Sequence, residues 1–171
     1  GIPDAVTFCL GDELRRRPKE EKESFFRQLV EQARLSSAEV FVRVDMESIE
    51  TDLEISVSSG LTGVVLRDVR YPEEVAKASD VMAQMEYDRG LNSGSMECIV
   101  ALESAMGVWN VRRIISASTR VTEVALGETG VSNDISIVPT EEYDPFIYAR
   151  GRIVIEGIAA GVRPVGMAYP L

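Results

Sequence analysis

The sequence predicts an α/β fold built on a parallel sheet. Three features carry the prediction: short apolar runs, longer amphipathic stretches between them, and the steady alternation of the two along 171 residues. Most of the runs are nearly continuous in apolar residues, as expected of strands covered on both faces.

The first strand is read at residues 4–10 (DAVTFCL). A helix over 19–35 follows, with Phe26, Leu29, Val30 and Ala33 on one side and Glu and Arg opposite. Strands at 40–44 (VFVRV) and 63–66 (GVVL) come next. The helix over 72–89 opens on Pro72, and Glu73 and Glu74 suit the positive end of its dipole. Val75, Ala78, Met82 and Met85 form its inner stripe, and Gly90 supplies a stop. A strand at 97–102 (ECIVAL), a helix at 104–117, a strand at 122–126 (TEVAL), a helix at 144–160 and a strand at 164–169 (PVGMAY) complete the series. Gly151 and Gly157 weaken the last helix, which predicts close packing against a neighbour at both. The alternation amounts to six strands and five helices in a single domain, 1–171. A complete (β/α)₈ barrel takes about 250 residues. The chain is therefore two strands short of a barrel, or it is an open doubly wound sheet.

The composition, 45% hydrophobic and 27% charged, is that of a globular protein. No apolar run approaches the roughly 20 residues of a membrane helix, and residues 1–4 lack the basic-then-apolar order of a signal peptide, so the expected location is cytoplasmic. Eighteen Lys and Arg against twenty-eight Asp and Glu give a net charge of −10, which argues against nucleic-acid and membrane partners. The basic cluster Arg15-Arg16-Arg17 is offset by the Glu-rich stretch from Glu20 to Glu23 and reads as a solvated helix entrance. Cys9 and Cys98 each lie inside an apolar run, the usual setting of buried free thiols. With no histidine in the chain, a Ser-His-Asp hydrolase is excluded, and metal binding or proton transfer falls to carboxylates, Lys, Tyr, Cys or water. Gly127-Glu128-Thr129-Gly130 is neither a dinucleotide fingerprint nor a phosphate loop.

Charges collect where the strands end, which is where ligands bind in parallel α/β folds. Asp12 follows the first strand, Arg43 sits one residue before the end of the second, Glu103 directly follows the fourth and Glu128 follows the fifth. Arg43 and Glu103 are either a buried ion pair holding two strands together or parts of a functional mouth.

At these positions the sequence resembles the HpcH/HpaI aldolase and citrate lyase β-subunit superfamily, nearly end to end. Asp4-Ala5-Val6 through Leu10-Gly11-Asp12 resembles a strand ending in Asp-Leu-Glu-Asp. Val40 to Asp45 (VFVRVD) is similar to Val-Phe-Val-Arg-Val-Asn, and Gly60 to Leu66 to Gly-Leu-Asp-Gly-Ile-Val-Leu. Leu102-Glu103-Ser104-Ala105-Met106-Gly107-Val108 resembles Ile-Glu-Thr-Ala-x-Gly-Val. Tyr148-Ala149-Arg150-Gly151-Arg152 resembles Tyr-Ala-Arg-Ser-Arg, and Tyr169-Pro170 matches the close of the penultimate strand.

The resemblance implies a TIM (β/α)₈-type barrel, incomplete here, covering the family's second to seventh strands. It also implies a carbon–carbon lyase acting with Mg²⁺ or Mn²⁺ on a hydroxyacyl-CoA or related thioester such as citryl, malyl or citramalyl. Glu103 would bind the metal, Arg43 would stabilise the oxygen that gains negative charge, and Asp12 would support them. Two departures stand out: Gly130 occupies the place of the second metal carboxylate, and Gly11 that of a further glutamate. Glu128 is then the substitute metal ligand, with Asp134 a more distant one. The alternative is a non-catalytic homologue with a degraded metal site that serves binding or assembly. Sheet edges left open by absent strands predict a homo-oligomer.

Overall fold

The computed structural model describes residues 4–9, 16–35, 37–57, 60–140 and 142–166. The strands are β1 (Ala5–Cys9), β2 (Glu39–Val44), β3 (Gly63–Leu66), β4 (Glu97–Leu102), β5 (Val121–Leu126) and β6 (Arg163–Val165). The helices are α1 (Lys19–Leu35), α2 (Ile49–Ser56), α3 (Pro72–Asp88), α4 (Ala105–Ile115), α5 (Glu128–Ile135) and α6 (Ile147–Ala160). The strands form one parallel sheet in sequence order, β1-β2-β3-β4-β5-β6, as expected of successive βα units. The alternation read from the sequence counts five helices and places four of them; the structure supplies the one between β2 and β3 as α2 and adds α5, an eight-residue segment with Val131 as its one buried residue, too short and too polar to show a periodicity. Of the expected sixth strand, residues 167–169 lie outside the described residues.

The chain packs as two compact units, Gly1–Val65 with Ala78–Glu97, and Leu66–Lys77 with Cys98–Leu171. In the first unit β1 pairs with β2 in register from Ala5↔Glu39 to Cys9↔Arg43. Val40, Phe41, Val42 and Val44 of β2 are buried, and α1 turns Phe26 and Val30 inward, with the Phe26 ring meeting Phe8 edge-on at 6.0 Å. Thr62 ties down β2, its N–H donating to the Val40 carbonyl and its hydroxyl accepting from the Val40 N–H. A Cβ on Gly63 would lie 2.2 Å from the Glu97 carbonyl oxygen, so only glycine permits this approach.

The one fully buried acid of α3 is explained by the turn that follows. Glu86, 1% exposed, accepts hydrogen bonds from the backbone N–H groups of Gly94 (2.7 Å) and Met96 (2.8 Å). Its carboxylate thus satisfies donors in the turn leading to β4 that no strand partner reaches. Gly90 at φ +65° ends the helix, as the sequence suggests.

In the second unit β4 and β5 pair from Ile99↔Glu123 to Leu102↔Leu126, and β5 pairs with β6 from Glu123↔Arg163 to Ala125↔Val165. Ser104 caps α4, its hydroxyl accepting from the Gly107 N–H at 3.2 Å. Val108, Val111 and Ile114 face inward from α4, and Ala149, Ile153 and Gly157 from α6. Gly157 is the close contact expected of it, since a Cβ there would meet the Val162 carbonyl at 3.0 Å and Val124 Cγ1 at 3.4 Å. Gly151 is not: open space surrounds it for 4 Å.

The cysteines divide. Cys98 is buried, and burial pushes its thiol up to about 12. Cys9 is exposed, contrary to the reading from its apolar run, because no residue of β1, at the end of the sheet, is fully buried. Titration with a thiol reagent at pH 8 should therefore modify Cys9 quickly and Cys98 only after unfolding, with peptide mapping as the readout. Glu86→Ala leaves the N–H groups of Gly94 and Met96 without their acceptor. It should cost about 3 kcal/mol in urea unfolding, and Glu86→Gln distinctly less.

Candidate functional site

Residues of the second unit that follow strands directly carry the candidate chemistry. Arg67 follows β3, Glu103 follows β4, and Gly127 and Glu128 follow β5. Parallel pairing puts these ends on one edge, which is why a charge directly after an apolar run is informative.

Glu103 is held tightly. Its side chain is 10% exposed, and Arg67 Nη2 donates to its Oε2 at 3.1 Å. The backbone past β5 lies against its stem. A Cβ on Gly127 would sit 2.5 Å from Glu103 Cγ, and one on Gly130 would sit 2.6 Å from Glu103 Cβ and 2.8 Å from its carbonyl oxygen. The Gly127 N–H donates to the Leu102 carbonyl at 2.8 Å, fixing that approach.

Glu128 points to a different partner. Its Oε1 accepts from Arg150 Nε at 2.5 Å, and Arg150 also donates to Asp144. The two carboxylates, Glu128 first, raise the Arg150 guanidinium above its ordinary range. The Phe146 N–H, assisted by Arg150, holds the Asp144 carboxyl below its own. Beside this ion-pair triad lies a cavity of about 230 Å³ lined by Leu126, Glu128, Arg150, Ile153, Pro164 and Val165 among others. Asp134 accepts from the Ala105 N–H at 2.8 Å, at the start of α4.

The residues singled out in the sequence are thus distributed. Glu103 and Glu128 both lie in the second unit, each bonded to its own arginine. Arg43 lies on β2 of the first unit, half-buried between Val42 and Val44. Asp12 lies outside the described residues. Sequence reasoning missed Arg67, although it carries the signal that identified Glu103: a charge immediately after a buried run, here Gly63-Val64-Val65-Leu66. It also gave no role to Arg150, the partner of Glu128.

The divalent metal that the resemblance implies does not fit these residues. Among the described residues no group of three or more His, Cys, Asp or Glu is placed to hold one. Glu103 is engaged by a guanidinium, Glu128 is bonded to Arg150, and Gly130 has no room for a side chain on its present backbone. Hard divalent cations take six or more oxygen ligands and depend on anionic carboxylates for affinity.

The model of the HpcH/HpaI aldolase/citrate lyase family matches residues 3–170. The chain belongs to that family. Citrate lyase subunit beta of Haemophilus influenzae is 24% identical over 170 residues, covering 98% of this chain and 58% of the relative. The chain thus spans a little over half the length of the curated relatives it matches. Two solved structures agree in fold. Haloferax volcanii malate synthase, in a pyruvate/acetyl-CoA ternary complex, superposes with a TM-score of 0.76 at 18% identity, over 98% of this chain and 50% of the other. An HpcH/HpaI aldolase from Desulfitobacterium hafniense gives a TM-score of 0.71 at 16% identity, over 98% and 69%. This member of the family has the parallel βα succession of those structures.

Because the backbone past β5 is packed against Glu103, Gly130→Asp should not rebuild a metal site. It should lower stability by about 1–3 kcal/mol through overpacking, seen as a fall in the denaturation midpoint, with no recovery on adding Mg²⁺.

Proposed function

We propose that this chain is a homologue of the citrate lyase-type proteins that keeps ligand binding at the strand ends and has given up metal-assisted cleavage. The observation that carries this reading is the state of Glu103: bonded to Arg67, with the glycines at 127 and 130 against its stem, and among the described residues part of no group of three or more acidic, His or Cys side chains that could hold a metal. The ligand is a small acidic acyl compound, such as the acyl portion of a thioester. The apolar walls of the cavity beside Glu128 and Arg150, among them Leu126, Ile153 and Val165, suit the acyl chain of such a ligand. The chain works in the cytoplasm as a homo-oligomer, a reading supported by the open sheet edges that the sequence predicts. Among the described residues no helix is long and apolar enough to cross a membrane.

A second reading is favoured by the family itself and by relatives named citrate lyase subunit beta. In it the chain cleaves a carbon–carbon bond of a hydroxyacyl-CoA such as citryl-, malyl- or citramalyl-CoA. Arg43 stabilises the developing oxyanion, Asp12 supports it, and Glu103 and Glu128 reorganise around Mg²⁺ or Mn²⁺ when substrate arrives.

Titration with Mg²⁺ and Mn²⁺, followed by calorimetry and thermal unfolding, separates the two. The first reading expects no heat of binding and no shift of the midpoint with either ion, and no cleavage of the three thioesters in the presence of metal. Saturable Mg²⁺ binding with turnover abolished by Arg43→Ala would establish the second.

A further inference from the structure

A helix with one apolar side is satisfied when that side is covered, but α6 has two. Ala149, Ile153 and Gly157 point inward. On the other side Tyr148, Gly151, Ile155 and Ile158 follow one another at intervals of three, four and three residues, the spacing of a seam between paired helices. Tyr148 is 63% exposed, Ile155 71% and Ile158 67%, with Ile147 beside them at 69%. We propose that this seam is the contact between two copies of the chain, paired antiparallel about a two-fold axis that crosses α6 near its middle. The proposal rests on the homo-oligomer reading given above, and it names the surface that does the pairing.

The apolar face continues from α6 onto α4, within the same unit. Arg152 lies over the Trp109 ring at 5.0 Å from its centre. It donates through Nη2 to the Trp109 carbonyl at 2.8 Å and through Nη1 to the Tyr148 hydroxyl at 2.9 Å, so one side chain joins Trp109 to the stripe. Trp109 is itself 67% exposed. At roughly 150–250 Å² for a large aromatic and somewhat less for isoleucine, the five side chains offer on the order of 600 Å² of apolar surface. A standard interface takes about 800 Å² from each partner, its polar rim included. The face is large enough for a stable dimer, and it lies at the upper end of what monomers leave in water.

Charge and shape select a second copy as the occupant. A net charge of −10 sets the chain against an anionic membrane surface. The rim of the stripe carries both signs: Arg152 comes first along α6 and Glu156 one turn later, the latter with Arg112 of α4 at 3.7 Å. Antiparallel pairing reverses that order, turning the Arg152 end of one rim toward the Glu156 end of the other, so a two-fold contact avoids like charges in register. Gly151 acquires a use in the same arrangement. A Cβ there would meet nothing of its own chain within 4 Å, and the hollow over it is walled by Tyr148, Arg152 and Ile155 among others. That hollow admits an isoleucine from the facing stripe, and the glycine lets the two helix backbones come close.

Sedimentation equilibrium of the full chain between about 1 and 100 μM tests this, and should show a monomer–dimer equilibrium with a dissociation constant in the micromolar range. Ile155→Glu sets like charges against each other near the axis and should weaken the dimer by at least about thirtyfold. Gly151→Leu, for which its own chain has room, should weaken it by at least about tenfold, with circular dichroism showing that the fold is kept. Tyr87→Glu, at a side chain 82% exposed on α3, should leave the constant unchanged. A parent protein that stays monomeric at the highest concentration would overturn both this proposal and the homo-oligomer reading. A dimer that the two α6 variants leave intact, a dimer that Tyr87→Glu weakens as much, or an assembly of three-fold order would overturn the proposal and leave that reading standing.

Discussion

A carboxylate with a tenth of its side-chain surface in water needs donors beside it, and at the strand ends the Arg67 guanidinium is one that Glu103 has. Glu103 emerges from β4 between the end of β3, which carries Arg67, and the backbone past β5, which carries no side chain where it touches. The start of α5 lies against the Glu103 stem, and glycine at 127 and 130 leaves room for that approach. Glu128 then takes Arg150, and Asp144 completes that pairing. Glu103 and Glu128, expected from the sequence as metal ligands, are here each bonded to a separate arginine.

Much of the fold was legible because its signals are local. GVVL and ECIVAL bound β3 and β4 as the structure has them, since a strand buried on both faces writes itself as an unbroken apolar run. The helix over 19–35 was equally clear, its inner stripe repeating every three or four residues through Phe26 and Val30. What failed depended on neighbours that no window of sequence contains. Cys9 looked interior by its apolar run, but exposure is decided by what covers the strand. Gly151 and Gly157 have the same sequence signature, and only the position of Val162 and Val124 tells them apart.

The candidate site was legible in its parts and not in its pairings. Glu103 and Glu128 were found because each follows a strand. Which cation each one meets is a matter of side-chain direction across elements, and nothing in the spacing of 67, 103, 128 and 150 discloses it. The buried acid of α3 is a parallel case. Glu86 breaks an apolar stripe in sequence, and its reason appears only when Gly94 and Met96 come round to donate to it.

The glycines against Glu103 also limit what the chain can accept there. A Cβ at 130 would lie 2.6 Å from Glu103 Cβ and 2.8 Å from its carbonyl oxygen, so any side chain at that position asks the first turn of α5 to shift. Close packing thus couples the identity of residue 130 to the backbone around it, and a substitution there is a change of the helix start as much as of a side chain.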